Sequence, residues 1–160
     1  MTTMTLYHMA LVIHITGLTT MAGITLGNYV MTRQFWKQYA IDKHRGIAIH
    51  QTISRLEILI RIGIGLLILS GISMMALTQG VFGEHTWFRT KMGLLLIIIF
   101  NDLIVGRRQR SRLKKLLSEG ASDQNEQQKL LKIKANINIL YMAQITLFLI
   151  IFVLSVFKFN

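Results

Sequence analysis

A histidine inside a long apolar stretch is the first residue in this chain with chemistry to offer. His14 stands in Leu6 to Met31, 26 residues without a single Asp, Glu, Lys or Arg. As a helix that run extends roughly 39 Å, beyond the ~30 Å of bilayer hydrocarbon, and sets His14 about 12 Å below its start. Ionisable groups at such depth usually face a bundle interior, a cofactor or a wet cavity. Imidazole is a common axial ligand for haem iron, and a helix-bundle core is a usual place for a cofactor. Lys91 lies about five residues into a later apolar segment, or about 7 Å down, in the same half of the bilayer. Its ammonium suits a haem propionate or another anionic group; the alternative is snorkelling to the surface. Thr16, Gly17 and Thr20 are the small neighbours of His14. His8 is six residues earlier, about 240° around the helix, and cannot point into the same site.

A second set lies deeper. Arg61 and Asp102 are each about 16 residues from the outer ends of their segments, so opposite charges fall at one depth on consecutive helices. Either alone would be costly in hydrocarbon, which predicts an intramembrane ion pair, with Glu57 one turn before Arg61 able to share it. A structural clasp near the cytosolic interface is the expected role, ahead of a proton path. Histidines 44 and 50, in the polar stretch Arg33 to Gln51, are expected to be solvated, as is His85 in a short Gly-containing turn.

Four apolar segments position these residues: helices at about 5–32, 52–78, 86–117 and 124–158. Segment 1 ends at an aromatic and basic boundary, Arg33, Phe35, Trp36 and Lys37. Within it Gly23 and Gly27 make a GxxxG match that would let another helix approach closely. Segment 3 is the weakest span, because Lys91 and Asp102 bracket its purely apolar core, Met92 to Phe100. It is expected to run on as the basic extension RRQRSRLKKLL. Asp123 with Glu126 resembles a capping box opening segment 4, whose Ile137 to Phe157 is an uncharged span of 21 residues.

The connections 33–52 and 107–134 hold 13 of the 18 Lys and Arg residues. By the positive-inside rule they are cytoplasmic, so both termini lie outside. The formal charge of +11 is explained this way, with some attraction to anionic lipid, and nucleic acid is not expected. Hydrophobic residues make up 52% of the 160-residue chain and the mean hydropathy is +0.47, which points to a single all-α membrane domain, a four-helix bundle. With no Cys, disulfides and thiolate chemistry are excluded; with no Pro, no helix is proline-kinked.

At IHITGLTTMAG, SRLEILIRIGIGLLILSG and WFRTKMGLLLIII the chain resembles the HemJ-type bacterial protoporphyrinogen oxidases and the related CopD-like small membrane proteins. That family's helix-1 histidine and the lysine after the tryptophan opening helix 3 match His14 and Lys91. The resemblance implies haem b in a four-helix bundle of the bacterial inner membrane, with His14 as axial ligand, Gly17 beside the cofactor and Lys91 supporting haem binding or catalysis. It also implies a porphyrin substrate or a quinone, and a homo-oligomer or a partner membrane subunit. The family's second histidine in helix 1, its helix-2 proline and its Asn-Glu-x-Pro stretch in helix 4 are absent. The resemblance therefore speaks for fold and haem ahead of oxidase chemistry. The rival reading is a non-catalytic membrane subunit without cofactor. A copper protein is weaker, because no His-Met cluster forms.

Overall fold

The computed structural model describes residues 2–79, 81, 85–119 and 124–157. Among them helix is almost universal and there is no strand. Helix α1 spans Thr3–Ile41 and α2 spans Lys43–Leu77, parted by Asp42 alone. The stretch expected as a polar connection is thus helical on both sides of a one-residue turn. Asp42 is responsible. Its backbone is extended, and its carboxylate accepts from the N–H groups of His44 at 2.9 Å and Arg45 at 3.4 Å, capping α2 where four donors would otherwise lack partners.

The third rod runs unbroken through α3 (Thr86–Phe100), a π-helical turn (Asn101–Gly106) and α4 (Arg107–Glu119). In the π turn the N–H of Arg107 reaches back five residues to the carbonyl of Asp102. Helix α5 covers Gln124–Val156. Asp123, the expected cap of this helix, lies outside the described residues. Three helices, α1, α2 and α5, are long and apolar enough to cross a membrane. The fourth expected span does not reach that length as a regular helix, since α3 has 15 residues before the hydrogen-bond ladder widens.

α1 and α5 run antiparallel. Tyr29 meets Tyr141, while Met21 shares a cluster with Phe148 and Ile151. The end where α1 starts and α5 finishes is called the upper end below. The upper apolar cluster draws Leu18 and Met21 from α1, Ile60 and Leu67 from α2, Ile98 from α3 and Ile151 from α5. A lower one gathers around Phe35, Ile53, Leu113, Ile137 and Tyr141. Phe35, expected as a boundary aromatic, is 1% exposed, and His50, expected in solvent, is half-buried against its ring at 5.7 Å. Continuation of both helices to Asp42 gives these side chains a helix–helix surface to fill.

α1 crosses α2 where Gly17 meets Gly63. A Cβ at Gly17 would lie 3.2 Å from the Gly63 carbonyl oxygen, and one at Gly63 would lie 3.1 Å from Met21. Gly23 and Gly27 face open space within the chain, so the small-residue packing falls one to two turns earlier than the GxxxG match indicated.

Candidate functional site

His14 is half-buried at the upper end, and its Nδ1 lies 3.0 Å from the Ser70 hydroxyl of α2. That hydroxyl has one hydrogen, for which backbone carbonyls of its own helix also compete, Leu66 at 2.5 Å and Leu67 at 3.2 Å. Which of Ser70 and His14 donates depends on the imidazole tautomer, and either way the contact holds the Nδ1 edge of the ring against α2. Gly71 adds to the fit, because a Cβ there would stand 3.7 Å from Cε1 of the ring. One edge of the imidazole is thus set against Ser70 and Gly71.

Lys91, half-buried on α3, is close enough to act electrostatically on His14. The α3 rod packs along α5, with little close backbone approach to α1 or α2. His14 and Lys91 thus stand on elements whose backbones approach one another little. Gly17 takes no part in this corner. Its open side is filled by Gly63, Leu66 and Leu67 of α2, so it serves the helix crossing. His8 is exposed and stacks edge-on with Tyr7, while the backbone carbonyl of His85 accepts from Phe88 and Arg89 at the start of α3.

These residues fit haem in one respect that can be checked by their chemistry. An axial ligand needs an imidazole with one ring nitrogen held by a neighbour, and Ser70 stands at that position beside Nδ1 of His14. Among the described residues no group of three His, Cys, Asp or Glu side chains is placed to hold a bare metal ion. A single imidazole suffices for a five-coordinate haem.

The lower set is built differently from the sequence expectation. Asp102 pairs with Arg110 of α4, not with Arg61: Nη2 of Arg110 lies 2.9 Å from Asp102 Oδ1. The same guanidinium places its Nε 2.9 Å from Glu57 Oε1 on α2. Arg61 is exposed on α2 and is felt only by Glu57, one turn away. Asp102, Gly106 and Arg110 follow one another at four-residue spacing and so share one face of the rod. A Cβ at Gly106 would come within 2.9 Å of the Arg110 guanidinium and 3.0 Å of the Asp102 carboxylate, so a larger residue there would push on both ends of the pair. Burial opposes the charge on Arg110, and Asp102 followed by Glu57 more than offset it, raising its pKa further. The charged side chains are 12–18% exposed, so the contact is largely desolvated.

Sequence reasoning missed the rest of this layer. The Tyr141 hydroxyl lies against Thr32 and Arg110. One turn further up α1, Asn28 is 0% exposed, and neither its amide oxygen nor its nitrogen has a hydrogen-bond partner. Thr25, Asn28 and Thr32 recur at helical spacing on one face, a signal that reads as small packing residues until α5 is placed beside them. Ser70 was detectable in principle, since it lies about seven residues from the end of α2, a depth close to that of His14.

Compared with known proteins, the chain matches no family model, no curated protein and no solved structure.

Proposed function

We propose that this chain is a multi-pass protein of the bacterial inner membrane that binds haem b, with His14 as axial ligand. The observation that supports this reading is the His14–Ser70 hydrogen bond, which holds the ring at Nδ1, so that Nε2 would be the nitrogen offered to iron. Lys91 stands beside it as the positive partner for a propionate. Bound there, haem supplies one-electron chemistry, and oxidation of a porphyrinogen with a quinone as electron acceptor is the reaction that the family resemblance implies.

In this reading the bundle spans the membrane four times with both termini outside. Two things support it: the basic residues concentrate around Asp42 and α4, and α3 with its π turn adds up to 21 residues that share the apolar core of the three long spans. Reporter fusions at Lys115 and Asn160 should read cytoplasmic and external. The same side for both would refute four spans.

The cofactor is tested by the absorption spectrum of detergent-purified protein after haem is supplied. Wild type should show a Soret band, His14→Ala should lose it while remaining inserted, and Lys91→Ala should retain haem less well. No Soret band in the wild type would sink the haem reading. The non-catalytic subunit would then replace it, on the ground that the same His14–Ser70 bond ties α1 to α2 without any ligand.

A further inference from the structure

Arg110 is half-buried against Asp102 and Glu57, while three other arginines of α4 face out. Arg107, Arg108 and Arg112 are exposed, and among the described residues none has a carboxylate within ion-pair distance. With Ser111, Leu103 and Ile104 they line an open groove of about 340 Å³. Leu103 and Ile104 are 47% and 61% exposed, and they stand one turn to the membrane side of Arg107 and Arg108. The groove is therefore apolar at one end and strongly cationic at the other, over the length of two helical turns.

That order matches one class of molecule. We propose that this groove is a binding site for an anionic glycerophospholipid of the cytoplasmic leaflet. Its phosphate sits among the three guanidinium groups, with Ser111 as a neutral donor. Its acyl chain lies along Leu103 and Ile104. Guanidinium forks match phosphate oxygens in geometry as well as charge, and an apolar floor rewards a ligand that carries its own hydrocarbon. A soluble anion would leave Leu103 and Ile104 uncovered. Arg110 is committed to Asp102 and Glu57, and the other three arginines gather on one outer face of the rod. The inference rests on the membrane placement proposed above and is independent of haem.

The test titrates purified full-length protein in neutral detergent with phosphatidylglycerol, phosphatidylcholine or inorganic phosphate. Native mass spectrometry reads retained lipid and thermal unfolding reads stabilisation. Phosphatidylglycerol should remain bound and raise the midpoint, and the other two should do neither. Removing three basic contacts of this kind should weaken retention roughly a hundredfold in Arg107→Gln/Arg108→Gln/Arg112→Gln. Lys37→Gln/Lys129→Gln/Lys132→Gln removes as much charge elsewhere on the same side and should retain lipid like the wild type. Equal losses in the two triple variants would overturn the site in favour of a diffuse basic field. Stabilisation by inorganic phosphate would overturn the lipid as its occupant. If the arginine triple fails to insert, Arg108→Gln alone should still lose several-fold in retention, and an unchanged Arg108→Gln would count against the proposal. A failed topology assay with intact lipid retention would refute the four-span reading alone.

Discussion

Replacing Arg110 by glutamine leaves two carboxylates facing one another without a cation between them. Glu57 and Asp102 are 17% and 12% exposed at the side chain, so water replaces the guanidinium only in part. Removing one partner of a buried ion pair typically costs about 3–5 kcal/mol. Residual exposure here places the expectation near the bottom of that range, about 3 kcal/mol. For a chain of this size each kcal/mol moves the midpoint by about 2–4 °C, so Arg110→Gln should lower it by about 6–12 °C. Arg61→Gln should do little, about 0–1 kcal/mol, because an exposed pair with Glu57 is mostly screened. Thermal unfolding of the purified protein in detergent gives both values. A double-mutant cycle then isolates the contact: Arg110→Gln with Asp102→Asn should couple by at least about 1 kcal/mol, and Arg61→Gln with Asp102→Asn should be additive. Gly106→Ala offers an independent approach, since its Cβ crowds the pair, and it should reproduce part of the Arg110→Gln loss. A cycle in which Asp102 couples to Arg61 and not to Arg110 would refute the pairing.

Ser70→Ala removes the anchor of His14 and should weaken haem retention about 10-fold or more, as loss of such supporting hydrogen bonds commonly does, with the Soret band still formed at saturating haem. An unaltered affinity would mean that Ser70 does not orient the ring. Gly17→Val should destabilise the protein by about 1–3 kcal/mol through the clash with α2, whereas Gly23→Ala and Gly27→Ala should be neutral or slightly favourable in the same unfolding assay. Asn28→Leu removes an amide whose two polar atoms are buried without partners, and should stabilise by about 1 kcal/mol; a clear loss of stability would show that the amide is satisfied after all.

The sequence by itself determined the membrane class, the charge asymmetry and the spans of the last two rods, because each depends on composition summed over twenty or so residues. The rods 86–119 and 124–156 fall within two residues of their expected ends. It also brought His14 and Lys91 to one depth, since rise per residue is fixed in a helix. Depth says nothing about azimuth, and azimuth is where the tertiary structure decided. Sequence depth set Asp102 level with Arg61, yet Asp102 meets Arg110 two turns along its own rod, while Arg61 is exposed on α2. Gly17 fell near His14 in sequence but belongs to the crossing with Gly63, and Ser70 came to the imidazole from another helix. Phe35 and His50 left the polar surface for a core once both helices ran on to Asp42. A rotation about the helix axis leaves hydropathy unchanged and alters every contact, so these partners appear only when neighbouring helices are in place.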